Sequence, residues 1–228
     1  MNKNIVVCGA SRGIGLAIVR TLCTNKNLHV YALSRNLEPL QREFKGLENL
    51  TLIPFDLEES ISSQLEKLLA VPELHGLINN AGILEKGAFS ELPLEAFNRC
   101  LRVNFTGPVE LIQTLLSQLI RGKAHIVNIS SMGAYQGSVK FSGLTAYASS
   151  KAAITNFTEV FAEEYKDSGM QMNCLCLGSV NTEMLQAAFP GYEACTSAEE
   201  MGKFIADFTL NSGTVFNGKI LPVSSSTP

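Results

Sequence analysis

Long apolar runs are absent from this sequence. No stretch of its 228 residues approaches the roughly 20 apolar residues that a membrane-spanning helix requires, so no membrane partner is expected. The opening "MNKNIVVCGA" carries an apolar run too short for a secretory signal, and it leads directly into a glycine turn. The chain is therefore read as soluble and cytoplasmic. A basic surplus is absent too. Lys and Arg number 18 against 21 Asp and Glu, a net charge of −3, which gives no footing for nucleic acid. The six cysteines (Cys8, Cys23, Cys100, Cys174, Cys176, Cys195) include no C-x-x-C pair, and His29, His75 and His125 lack metal-ligand spacing. No metal is implied, and the cysteines read as reduced thiols packed in or near the core. Repeats and linker-like breaks in composition are missing as well.

What is present is an alternation. Hydrophobic residues make up 46% and charged residues 17%, the balance of a folded chain rather than a disordered one. Short runs rich in Val, Ile and Leu predict strands at "NIVVC", "LHVYALS", "LTLIPFD", "HGLINNAG", "AHIVNISS", "MQMNCLCLG" and "GKILPV". Between them lie tracts with helical period: "IGLAIVRTLCT", "EPLQREF", "ISSQLEKLLA", "LEAFNRCLRVNFTGPVELIQTLLSQLI", "TAYASSKAAITNFTEVFAEEYKD" and "SAEEMGKFIADFTL". Gly107 and Pro108 mark an irregularity in the fourth of these. Strands alternating with helices predict an α/β fold, a doubly wound Rossmann-type parallel sheet in three αβα layers. One domain is expected over residues 1–228, with 224–228 a frayed tail.

Two local patterns carry chemistry. "CGASRGIG" joins the first strand to the first helix. There Gly9 allows a sharp turn, Gly13 lets backbone approach a pyrophosphate, and Gly15 opens a helix whose N-terminus favours an anion. A glycine turn in that position is evidence for a dinucleotide site. The second pattern is "TAYASSKAAI", in which Tyr147 and Lys151 stack on one face of a helix. Taken alone, such a pair reads as ordinary helix surface.

The glycine turn, "NNAG" (Asn79 to Gly82), "VNFTG" with Asn104, "IVNISS" with Ser131 and the Tyr147/Lys151 pair occur in one order. Together they resemble the short-chain dehydrogenase/reductase family over about residues 4–182. That resemblance implies hydride transfer with a nicotinamide cofactor, Tyr147 exchanging a proton with the substrate oxygen. A free tyrosine has a pKa near 10, and a neighbouring cation favours its phenolate. Lys151 would supply that charge and also bind the nicotinamide ribose. By the same resemblance Ser131 would hydrogen-bond the substrate oxygen, with Ser130 the second choice. Asn104 would hold a water of a proton relay, its alternative being an amide that serves a local helix irregularity. The implied cofactor set is Gly9, Ser11, Arg12, Gly13, Ile14, Gly15, Ser34, Arg35, Asp56, Leu57, Asn79, Ala81, Gly82, Tyr147, Lys151, Gly178, Val180 and Thr182. Asp56 would meet the adenine amino group, or cap the turn before "LEES".

The sequence also departs from the family pattern. Cys8 stands where threonine is usual, and Leu177 where proline is usual. The interval from Ser131 to Tyr147 is three residues longer than the common one, which lands on Ala134, so "YQGSVKFSG" lengthens a loop over the site. After Thr182 only "EMLQAAFPGYEACT" precedes the next helix, and "LPVSSSTP" lacks the usual Asp-Gly-Gly.

Cofactor choice rests on charge. At the end of the second strand, "ALSRN" has Ser34 and Arg35 where an NAD-selective chain carries an acid, and Arg12 lies in the glycine turn. Two guanidinium groups suit a 2′-phosphate, while Glu38 falls beyond the strand end. The reading is an NADP(H)-dependent oxidoreductase interconverting a carbonyl and an alcohol on a small molecule. Its alternative is a dinucleotide-binding regulator or scaffold without turnover. Leu111, Leu115, Leu119, Ile154, Phe157 and Phe161 lie on two helices that family members often pair, so a homodimer or homotetramer is expected unless one protomer's core absorbs them.

Overall fold

The alternating apolar runs become a parallel sheet covered on both faces. The structure is a computed structural model that describes residues 2–224, so the expected tail, beyond Ser224, lies outside the described residues. In chain order the strands and helices are β1 (Lys3–Cys8), α1 (Gly13–Cys23), β2 (Leu28–Ser34), α2 (Glu38–Glu43), β3 (Leu50–Pro54), α3 (Glu66–Leu69) and β4 (Gly76–Asn79). There follow α4 (Leu94–Leu101), α5 (Gly107–Gly122), β5 (His125–Ser131), α6 (Thr145–Glu164), β6 (Gln171–Leu177) and β7 (Val180–Asn181). The chain continues through α7 (Glu183–Ala188), β8 (Thr196–Ser197), α8 (Ala198–Asn211) and β9 (Ile220–Val223).

Seven strands form one sheet in the order β3-β2-β1-β4-β5-β6-β9, every neighbouring pair parallel. Side chains alternate across it. Val6 and Cys8 of β1 enter a core with Leu77, Ile126, Leu111 and Phe161, on the face covered by α5 and α6. Ile5 and Val7 enter the opposite core with Val30, Ile78, Ile18 and Ile205, on the face covered by α1 and α8. Strands buried on both sides must be apolar throughout, which is why these runs lack polar alternation. The strand order reverses between β1 and β4, and a crevice opens beyond their carboxyl ends.

One local outcome differs from the sequence reading, and two others refine it. The tract "ISSQLEKLLA" forms a 3₁₀ turn (Ser62–Gln64) and a single helical turn rather than one helix. Gln64 folds back instead, its amide donating to the carbonyls of Asp56 and Ser60 at 2.9 Å each and its oxygen accepting from Asp56 N. The long tract before β5 is continuous but widens into a π-helical turn over Arg102–Thr106. Pro108 has no N–H for the carbonyl of Asn104, and the extra residue before Gly107 absorbs that mismatch. Finally, Leu111, Leu115, Leu119, Ile154 and Phe161 are buried within the single chain. They cover the sheet, so these five do not form an outward face.

Candidate active site

A cleft of about 710 Å³ lies at the carboxyl edge of the sheet, where the segments after its strands converge. Its first wall is the glycine turn. Gly9 sits at φ +82°, and a Cβ there would come within 2.6 Å of Ala81 Cα, so only glycine lets the two backbones meet. Asn80 and Ala81 both donate backbone N–H groups to Cys8 O, at 3.2 and 2.9 Å, and the Asn80 side chain donates to Gly9 O at 2.9 Å. The turn is braced by an amide, not by the residue at position 8. Burial pushes the Cys8 thiol up to about 12, so it stays protonated and serves packing.

Tyr147 and Lys151 do share one face of α6, and both line the cleft with Ser131. Lys151 is 5% exposed, and its Nζ donates to Ile129 O at 2.9 Å. Burial of the ammonium lowers its pKa to about 8. The Tyr147 ring is only partly buried, opening onto the cleft, yet its phenol is desolvated. Burial raises the phenol above its ordinary value, and a hydrogen bond with Ser131 pulls the other way. In the ligand-free protein burial is the largest influence on the phenol and Lys151 is not among the groups that shift it, so the phenol is held protonated.

The two candidate serines separate cleanly. Ser130 is buried and its hydroxyl donates to Lys151 O at 2.9 Å, steadying the helix that carries the lysine. Ser131 stays half-buried, accepting from Gly133 N at 3.2 Å, with its hydroxyl toward Tyr147. Ala134 ends the short turn after Ser131 and does not line the cleft.

Asn104 lies in the π-helical turn. Its oxygen accepts from Ile83 N at 2.9 Å, and its amide donates to Ile83 O and to Ser150 Oγ at 2.9 Å each. It therefore braces the segment after β4 rather than its own helix. A Cβ on Gly82 would lie 3.1 Å from Lys151 Nζ and 3.2 Å from Asn104 Oδ1, so those two groups flank the glycine from behind the cleft.

At the far end, Ser34, Arg35, Asp56 and Leu57 line the cleft as anticipated, and so do Ser11, Arg12, Gly13, Ile14, Ala81, Gly82, Gly178, Val180 and Thr182. Asp56 accepts from Glu58 N at 3.0 Å, capping a turn with its carboxylate at the cleft. Neither arginine is idle: Arg12 pairs with Glu183 at 2.7 Å and Arg35 with Glu58 at 3.4 Å. Thr182 caps α7 by accepting from Leu185 N.

Three expected residues do not line the cleft. Asn79 is 4% exposed and donates to Asn128 Oδ1 at 2.8 Å between β4 and β5, so Asn80 reaches the cleft in its place. Gly15 supports the turn from inside, since a Cβ there would overlap Gly9 O. Asn104 stands behind Lys151. Sequence reasoning missed the apolar residues Phe141, Leu144, Met184, Leu185, Phe189 and Tyr192, which line the rest of the cleft. They sit in the two divergent loops, where no motif signals them. Among the described residues no group of three or more His, Cys, Asp or Glu could hold a metal ion, and no helix is long and apolar enough to cross a membrane.

The family model described as short chain dehydrogenase matches residues 3–193. Oxidoreductase UcpA of Salmonella typhimurium is 33% identical over 192 residues, covering 81% of this chain and 72% of that one. Among solved structures, NADPH-bound carbonyl reductase from chicken fatty liver superposes with a TM-score of 0.86 at 24% identity, covering 97% of this chain and 96% of that chain. 4-Hydroxyisoleucine dehydrogenase complexed with NADH gives 0.85 at 23%, covering 99% and 98%. The fold is thus common to proteins holding either cofactor.

Proposed function

The chain belongs to the short-chain dehydrogenase family, and from that premise we propose an NADP(H)-dependent enzyme interconverting a carbonyl and an alcohol. The single observation that carries the proposal is the convergence of Ser131, Tyr147 and buried Lys151 on one cleft, the lysine one helical turn beyond the tyrosine on α6. A scaffold that merely held a dinucleotide could use Lys151 on the ribose but would have no use for Ser131 and Tyr147 beside it.

The cleft fits a nicotinamide dinucleotide: the turn from Gly9 to Ile14 lines it after the first strand, close against Ala81, and the guanidinium groups of Arg12 and Arg35 line it too. Residues 11–14 and 80–82 would hold its phosphates and ribose, Arg12 and Arg35 its 2′-phosphate, and Gly178, Val180 and Thr182 its nicotinamide end. When bound, the cofactor supplies or accepts the hydride.

The chain's own residues handle the oxygen and the proton. Ser131 donates to the substrate oxygen and orients it. Tyr147, held protonated by burial, gives its proton to that oxygen as charge develops there, in the direction of carbonyl reduction. Lys151 then balances the phenolate, which gains from a nearby cation. Asn104 keeps the Ile83 backbone and Ser150 in register behind the lysine.

The cofactor reading rests on Arg12 and Arg35. A panel of aldehydes and ketones with NADPH and with NADH, followed by loss of nicotinamide absorbance, tests both activity and cofactor together. Turnover with NADPH is the expected result, and turnover restricted to NADH would overturn the cofactor assignment.

We also propose self-association to a homodimer or homotetramer through α5 and α6. The support is now Leu101, Ile120 and Val160, which remain exposed on or beside those helices. A monomer mass by light scattering at working concentrations would exclude it.

A further inference from the structure

The substrate end of the cleft is walled by the two segments that lengthen or shorten the family pattern. The loop between β5 and α6 contributes Phe141 and Leu144, and the segment from α7 onward contributes Met184, Leu185, Phe189 and Tyr192. Phe141 is 54% exposed and Tyr192 51%, so the rim leaves aromatic surface in water. Covering such surface with an apolar ligand is favourable in proportion to the area removed from water.

Charge is distributed in the opposite sense. The charged side chains lining the cleft are Arg12, Arg35, Asp56, Lys151 and Glu183. Arg35 and Asp56 follow β2 and β3, Lys151 is buried against Ile129 O, and Arg12 and Glu183 are paired with one another at the start of α7. Two lysines stand near the mouth without lining the cleft, and both are engaged. Lys86 donates to Ala188 O at 2.8 Å and lies 4.1 Å from the centre of the Phe189 ring, while Lys140 donates to Tyr135 O and Ser138 Oγ. No free cation is therefore aimed at the substrate end among the described residues. A carboxylate or phosphate carried there would lose water and find no partner.

The wall is also cross-linked in place. Gly87 N donates to Gly143 O at 3.0 Å, joining the segment after β4 to the Phe141 loop, and Lys86 joins the same segment to the end of α7. A wall held this way needs little ordering when a ligand arrives.

We infer that the substrate is a neutral carbonyl compound with an apolar, aromatic or alkyl body, selected by Phe141 and Phe189. This deepens the proposed activity and rests on it for the location of the reacting oxygen. The probes are methyl 4-acetylbenzoate and 4-acetylbenzoate, which share a ketone and a ring but differ in charge. Their binding to the full-length protein saturated with NADPH is measured by calorimetry, and their turnover separately by absorbance.

The neutral ester should bind at least about tenfold tighter than the acid. Phe141→Ala and Phe189→Ala should each weaken the ester by about tenfold, the lower end of what a lost apolar group costs in a hydrophobic pocket. Phe141 is exposed enough for its truncation to leave the fold intact, which circular dichroism checks. Equal or tighter binding of the acid overturns the inference, as does no binding of either compound, or ester binding unchanged in both variants. Discriminating binding without turnover of any ketone overturns the reductase reading and leaves the apolar pocket standing.

Discussion

Arg12 donates to Glu183 at 2.7 Å across the cleft mouth, tying the glycine turn to the first residue of α7. The guanidinium assigned to the cofactor phosphate therefore has a resident competitor. Both side chains are well exposed, 61% and 70%, so the pair is worth no more than about 1 kcal/mol. Removing the competitor leaves Arg12 free for the phosphate. Glu183→Gln should tighten NADPH binding by up to about fivefold and NADH binding by less, measured by calorimetry. Unchanged affinity for both would show that Arg12 does not reach the phosphate.

Tyr147→Phe keeps the ring in its place on α6 and deletes the group that Ser131 faces. Turnover should fall by about 10²–10⁴-fold, the usual contribution of a general acid, with cofactor affinity nearly unaltered. Near-normal turnover on any accepted substrate would remove Tyr147 from the mechanism.

Arg35 is 55% exposed at the end of β2, beside Glu58. Arg35→Asp replaces attraction with repulsion at one phosphate, so NADPH should weaken far more than NADH. Titrating both cofactors by fluorescence checks the ratio. If the two weaken equally, Arg35 contributes only general surface charge.

The sheet was legible because each strand is a continuous apolar run and each covering helix has a clear period. The reactive pair was legible because four residues on a helix bring Tyr147 and Lys151 to one side. Less accessible was the division of labour within a motif. Asn79 and Asn80 are adjacent in sequence, and only strand pairing decides that the first faces Asn128 while the second reaches Gly9. Likewise, Leu115 and Val160 are both apolar helix residues, yet one is buried and the other exposed. The substrate wall was invisible because its residues lie in loops and in the short helix α7, where position follows from cross-links such as Gly87 to Gly143 rather than from periodicity.

Gly82 offers a test of the packing behind the cleft. Alanine there would bring a methyl to 3.1 Å from Lys151 Nζ and 3.2 Å from Asn104 Oδ1, closer than ordinary contact. Gly82→Ala should keep the fold but displace the lysine, lowering kcat by about tenfold or more, since small misplacements of reacting groups are costly. Steady-state kinetics beside a thermal melt would separate these effects. Full activity would mean that the lysine can shift without consequence.

The buried lysine also makes stability depend on pH, in a direction set by its lowered pKa. Lys151 titrates at about 8 in the folded protein, against 10.5 ordinarily, because burial penalises the ammonium. Below pH 8 both states hold the proton, and the fold carries the whole cost of burying the charge. Between pH 8 and 10.5 the unfolded chain keeps a proton that the folded chain has released, so this group's contribution to stability rises with pH. The change is on the order of 3 kcal/mol at most, since each pKa unit corresponds to about 1.36 kcal/mol. Lys151→Met removes that dependence, while its lost hydrogen bond to Ile129 O adds an offset that does not vary with pH. Urea denaturation of both proteins at pH 7, 8.5 and 10 should therefore show the wild type gaining on the variant as pH rises. Subtraction cancels the titrations that the two proteins share. A difference that stays flat across the three pH values would mean that Lys151 keeps its ordinary pKa in the ligand-free fold.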